Sequence, residues 1–244
     1  MTEKKYFLPA DFTRRKELLQ TIYGVYADWM RRFPLACRKG CDACCTQSVT
    51  MTSLEGEVIL DRIRRQGREE WLLKKLAQAT PGTNRPSMTT NQFAEACLKQ
   101  IDVENSNHSN WDFSPCIFLK DASCLIYEER PFGCRSFGSL VQCRSEGSAE
   151  MAPIHLTVNT VLTQIIEHLN SENGYWSGMT DILHSLVGQK TIPPKKHLLR
   201  ARPIPGLLLE PQEVMIVRSI LKRLAGHSSA SDLFGDLIDN FRLI

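Results

Sequence analysis

Eight of the nine cysteines in this 244-residue chain fall into two short stretches, and that crowding constrains the fold more than any other feature. Cys37, Cys41, Cys44 and Cys45 lie within nine positions, and Cys116, Cys124, Cys134 and Cys143 lie within twenty-eight. The opening residues, MTEKKYFLP, lack the apolar core of a secretory signal. No apolar run approaches the ~20 residues of a membrane-spanning helix. The expected compartment is therefore the cytosol, where thiols stay reduced and a disulfide scaffold is disfavoured. Thiols concentrated in this way under reducing conditions point to metal ligation. The ninth, Cys97, stands alone at an apolar position of a predicted helix and reads as a small buried hydrophobe.

Apolar periodicity predicts a mainly α fold with a cysteine-rich, loop-dominated metal-binding centre and one small β-hairpin. Leu18, Ile22, Val25 and Trp29 fall on one stripe of a helix over residues 12–33, which Pro34 ends. Thr52-Ser-Leu-Glu55 has the form of a capping box opening a helix to about residue 66; Gly67 breaks it before a second piece over 69–78. Residues 81–91 and 104–110 read as polar linkers around a short helix over 92–99, an insertion between the two cysteine-bearing halves. The apolar runs at Cys116 and Cys124 predict a hairpin, and Pro131 a short helix carrying Cys134. Helices are expected over 156–169, 176–186, 213–224 and 231–243. Residues 1–150 are read as the cysteine-cluster domain with its N-terminal helix, and 151–244 as a helical extension packed on it.

Four thiolates suit a tetrahedral zinc ion or an iron–sulfur cubane. Eight candidate ligands suffice for two four-coordinate sites, or for one cluster and one ion. The side chains of adjacent Cys44 and Cys45 are expected to diverge, which would let Cys45 serve a second metal or bridge. Cys37-x3-Cys41-x2-Cys44 also has the spacing of the radical S-adenosylmethionine cluster motif. The long helix before it, the absence of alternating strands and helices after it, and the additional cysteines are foreign to that scheme.

Taken together, Cys37-x3-Cys41-x2-Cys44-Cys45, "PCIFL" and "CLIYEERPFGCRSF" resemble the YkgJ-type cysteine-cluster family, described as a zinc- or iron-chelating domain. Its Tyr-Glu-x-Arg-Pro-x-x-Cys-Arg pattern falls on Tyr127, Glu128, Arg130, Pro131, Cys134 and Arg135, and the likeness spans about residues 37–143. The resemblance implies zinc or iron, including an iron–sulfur cluster, as the bound partner of the eight cysteines. The same region is similar to that of flagellin lysine methylases, which implies an alternative function as a metal- or cluster-dependent protein-modifying enzyme. Arg130 and Arg135 bracket Cys134 and are the candidates for second-tier contacts to thiolate, with pairing to Glu128 and Glu129 as the other use of their charge. In the first turn of a helix, Cys134 would have its thiol pKa lowered by the dipole.

Other functions find less support. A formal net charge of +3 falls further once thiolates carry metal, which argues against nucleic acid. The runs Arg14-Arg15-Lys16 and Arg62-Ile63-Arg64-Arg65 read as solvated helix faces. No glycine-rich S-adenosylmethionine loop is evident. A protein partner bound through the 213–224 helix would require an exposed apolar stripe there. The histidines, His108, His155, His168, His184, His197 and His227, are scattered. His155, first after the last cysteine, is the one to test as a ligand.

Overall fold

The stripe read from Leu18, Ile22, Val25 and Trp29 is buried in helix α1 (Phe12–Met30), together with Leu19, Tyr26 and Met30. The computed structural model describes residues 11–38, 40–79, 86–103, 113–143, 148–188, 198–227, 234–235 and 244. Among them are eight α-helices and five short strands. Thr52 caps α2 (Ser53–Arg65) through the expected capping box with Glu55. Gly67, at φ +64°, ends it: Gly67 N–H donates to Arg64 O and Arg68 N–H to Ile63 O, satisfying carbonyls that the helix leaves open. Helix α3 (Glu69–Leu76) follows.

The predicted insertion is docked rather than loose. A second capping box, Thr89 with Gln92, starts α4 (Thr90–Leu98), which carries half-buried Cys97. Its buried Asn91 donates through its backbone N–H to Glu167 (2.8 Å) and through its side chain to the carbonyls of Gln164 (3.0 Å) and Arg202 (2.9 Å). Gln164 and Glu167 belong to α6 (Pro153–His168), and the Glu167 carboxylate also accepts the Arg202 N–H at 2.8 Å. A buried carboxylate is tolerated because main-chain donors surround it, although burial still raises its pKa.

The sheet was not foreseen. Residues 176–178, the expected start of the 176–186 helix, instead belong to strand β4 (Tyr175–Gly178), and the helix α7 begins only at Met179 (Met179–Leu186). Strand β1 (Thr50–Thr52) pairs antiparallel with β4, with Met51 opposite Ser177, and β4 pairs with β5 (Leu199–Arg200). Trp176 and Ser177 are buried, so this short apolar strand shows no alternation that would betray it. Asn170 fixes the entry to β4: its side chain donates to Ser53 Oγ (2.9 Å) and Tyr175 O (3.2 Å). Gly174 packs so closely that an added Cβ would lie 2.1 Å from Asn170 Cγ and 2.3 Å from its carbonyl oxygen. Gly174→Ala is therefore expected to destabilise by at least about 3 kcal/mol, read as a lowered urea midpoint; an unchanged midpoint would refute the tight approach.

The expected hairpin is present as β2 (Leu119–Lys120) and β3 (Ser123–Cys124), turned by Asp121 and Ala122 at φ 48° and 54°. Helix α5 (Phe132–Ser136) starts one residue later than expected, with Pro131 as its N-cap. Helix α8 (Val214–Ala225) follows a 3-10 turn at Pro211–Glu213. The 104–110 linker, His108, His197 and most of the 231–243 helix lie outside the described residues.

Two apolar cores flank α2. One joins Leu54 and Val58 to α1, α6, α8 and Phe132; the other joins Ile59, Leu60 and Ile63 to α3, α7, Ile117 and Phe118. Both draw on residues before and after 150. The stripe Val217, Ile220, Leu221 and Leu224 of α8 is buried in the first core, so it is covered by the chain itself; Met215 and Ile216 face outward. No described helix is long and apolar enough to cross a membrane.

Candidate metal centre

The eight clustered thiols are carried by the 37–45 loop, the β2–β3 hairpin, helix α5 and the segment ending at Cys143, and hydrogen bonds fasten these pieces to one another. Cys116 N–H donates to Cys45 O at 2.8 Å and Gln47 N–H to Ser114 O at 2.9 Å, joining the two cysteine-bearing halves. Ala36 N–H donates to Ser139 O at 2.8 Å, and Ser139 N–H donates in return to Cys37 Sγ at 3.2 Å. The hairpin places Cys124 opposite Leu119, three residues beyond Cys116. Cys116 and Cys124 both rest against the second apolar core.

Helix α5 has only five residues, too few to hold itself, and buried polar groups hold it instead. At its start, Glu55 accepts the Phe132 N–H at 2.6 Å and the Tyr23 hydroxyl at 2.9 Å through one oxygen. The other oxygen accepts the N–H and hydroxyl of Thr52 at 2.8 and 2.9 Å. At its end, the Ser136 carbonyl accepts from Asn159 Nδ2 at 3.0 Å, and Asn159 Oδ1 accepts the Tyr26 hydroxyl at 2.7 Å. The thiol of Cys134 is thus presented by a segment clamped from α1, α2 and α6.

Electrostatics divide the thiols into neighbourhoods. Burial raises the pKa of Cys134, and the nearby charges of Cys116, Cys124 and Cys44 add to it. The helix dipole does not lower this pKa as expected, because desolvation of a buried thiol outweighs one short turn of helix. Burial also raises Cys116 and Cys124, opposed in each by a backbone N–H donor, Phe118 at the first sulfur and Ile126 at the second. Cys37 is raised by burial, opposed by Ser139 N–H, with Cys41, Cys44 and Cys143 as charged neighbours. The Cys44 and Cys45 thiols lie close enough to influence one another, an interaction that raises the pKa of Cys44 and lowers that of Cys45. A turn closed by Cys45 N–H to Asp42 O at 2.9 Å leads into this pair.

The two arginines divide their tasks. Arg130 stacks on Tyr127, 3.6 Å from the ring centre, and its charge lowers the pKa of Cys44, Cys124 and Cys134. Arg135 donates to the carbonyls of Arg130 (2.7 Å) and Glu128 and lies 4.3 Å over the Tyr23 ring, so it braces the turn before Cys134. Glu129 pairs with Arg62 at 3.3 Å. His155 is fully buried, its ring against Phe33 at 3.9 Å and Trp29 at 5.4 Å, with both nitrogens unbonded among the described residues. Its closeness in sequence to Cys143 does not make it part of the thiol group.

Sequence reasoning missed Tyr23, Asn159 and the long-range role of Glu55. The capping box marks one oxygen of Glu55; nothing local marks the other. Among the described residues, no three His, Cys, Asp or Glu side chains are grouped so as to hold a metal ion. Comparison with models of known protein families, with curated proteins and with solved structures finds no match.

Proposed function

We propose that this is a metal-binding protein whose helices frame a cysteine-rich centre. In particular, we read it as a chelator of the YkgJ type, holding zinc or iron through Cys37, Cys41, Cys44, Cys45, Cys116, Cys124, Cys134 and Cys143. The observation that carries the reading is the backbone N–H of Ser139, which donates to Cys37 Sγ at 3.2 Å across the two cysteine-bearing halves; backbone donors near Cys116 and Cys124 likewise lower the pKa of those thiols against burial. A neutral thiol is a weak acceptor, whereas a thiolate gains from such donors, and the thiolate is the metal-binding form. The donor set fits a soft divalent ion or an iron–sulfur cluster. Because no trio of donors stands ready among the described residues, the last closure of the ligands belongs to binding itself, as in other sites where ligation and folding are coupled.

Bound zinc would fasten the loops, and a bound cluster would add electron transfer. The chain's own part is to hold the ligands: Arg130 offsets thiolate charge, and Arg135, Tyr23 and Glu55 fix the turn and helix on which Cys134 rides. Anaerobic purification with elemental and sulfide analysis tests the reading. Cys134→Ser is expected to lose metal and stability, and Cys97→Ser to keep both. Full metal content in the Cys134→Ser protein would refute the ligand set.

A further inference from the structure

Resting on that metal-binding reading, we propose that the eight thiols form two separate four-thiolate sites that meet at the Cys44–Cys45 peptide. Cys37, Cys41, Cys44 and Cys143 form an outer, exchangeable site, and Cys45, Cys116, Cys124 and Cys134 an inner site that fastens the fold.

The partition follows the geometry. Cys37, Cys41 and Cys143 line one cavity of about 180 Å³, together with Arg38, Gly40 and Gln142. The opposing wall is fixed by the Ser139–Cys37 contact, which brings the segment leading to Cys143 against the start of the cysteine loop. Cys44 stands between the two sets, a neighbour of Cys37 and also of Cys134; it is assigned outward because Cys45, whose carbonyl accepts the Cys116 N–H, already makes the fourth of the inner set. On the other side, Cys116 is bonded through its backbone to Cys45, and the hairpin carries Cys124 beside it. Cys45 has Cys116, Cys134 and Cys124 as its further charged neighbours. Each set contains four sulfurs, the number a tetrahedral soft ion takes.

The two sites differ in their surroundings. In the outer set Cys37, Cys41 and Cys44 are exposed and Cys143 is half-buried, whereas all four of the inner set, Cys45, Cys116, Cys124 and Cys134, are half-buried. A cavity of about 180 Å³ is larger than an ion requires and admits several water molecules or an incoming ligand. An ion there can be passed on by stepwise exchange of thiolates. The inner ligands stand on the second apolar core and on the clamped helix α5, so releasing an ion from them requires opening packed structure. Binding at either site releases the protons of its thiols to solvent, so neither step needs a redox partner.

The test uses the full chain, reduced and stripped of metal, titrated with Cd²⁺ alone and followed by thiolate-to-cadmium absorption and elemental analysis. The wild type is expected to hold two Cd²⁺ per chain and, on addition of excess chelator, to lose one more than about tenfold faster than the other. Cys143→Ser and Cys41→Ser are each expected to hold one, the slow one. Cys124→Ser is expected to lose the slow one; should it fail to fold, the two outer variants decide. If either outer variant loses both ions, or loses the slow one, the thiols form one shared centre: the partition is overturned while metal binding stands. If the wild type binds no Cd²⁺ under these conditions, both the partition and the reading beneath it fail.

Discussion

Glu55→Ala is expected to lower stability by about 4 kcal/mol, because it strands several buried donors at once. Its carboxylate, on a residue only 4% exposed, accepts from Tyr23, Phe132 and both donors of Thr52. Each such donor left dry costs about 1–3 kcal/mol, partly relieved where water enters. Tyr23→Phe removes one of the four and should cost about 1 kcal/mol. Urea unfolding followed by circular dichroism measures both. A loss below about 1 kcal/mol in Glu55→Ala would mean that its partners find other acceptors, and that α5 is held by packing alone. The variant is also expected to retain metal less well, because the helix carrying Cys134 loses its anchored start.

Acidification from pH 7 to pH 4 is expected to remove about 3 kcal/mol of stability through His168 alone. This residue is 1% exposed, and burial lowers its pKa from 6.5 to about 4. The unfolded chain therefore takes up the imidazole proton as pH falls through 6.5, while the folded chain resists it until about 4. The contribution is complete above 6.5 and is lost across that window. His168 ends α6, where the helix dipole favours a cation, so desolvation here prevails over the dipole. The check is the difference in unfolding free energy between wild type and His168→Gln at several pH values. The difference should change across the window, and acid titration of the other groups, common to both proteins, largely cancels in it. A constant difference from pH 7 to pH 4 would show that the folded imidazole titrates like an exposed one.

Where a feature depends on neighbours in sequence, the sequence exposes it. The α1 stripe, the Thr52–Glu55 capping box, the stop at Gly67, the turn between β2 and β3 and the start of α5 near Pro131 are all of this kind. Features that depend on distant segments were hidden. Trp176–Gly178 has the pattern of a helix start, yet it forms strand because its pairing is set by β1 and β5, which lie far away in the chain. Asn91 gives no sign that it reaches α6, since its partners Glu167 and Gln164 are more than seventy residues on. The site divides the same way. The eight cysteines were legible from their crowding; which sulfurs neighbour which depends on Cys116 bonding to Cys45 and on Ser139 reaching Cys37. Arg135 was expected near sulfur, but its fork found the carbonyls of Glu128 and Arg130, a choice set by the turn between them.

The clamp on α5 also dictates an order of assembly. A nascent chain emerging from the ribosome displays all eight clustered thiols once Cys143 is out, yet Asn159, which holds the end of α5, and the strand Tyr175–Gly178, which pairs with β1, are still to come. Contacts between segments so far apart form late, after the costly closure of long loops. The thiols are therefore synthesised before the frame that orients them is complete. On the metal-binding function proposed above, metal acquisition would be a closing event of biosynthesis, timed by the arrival of residues that carry no ligand.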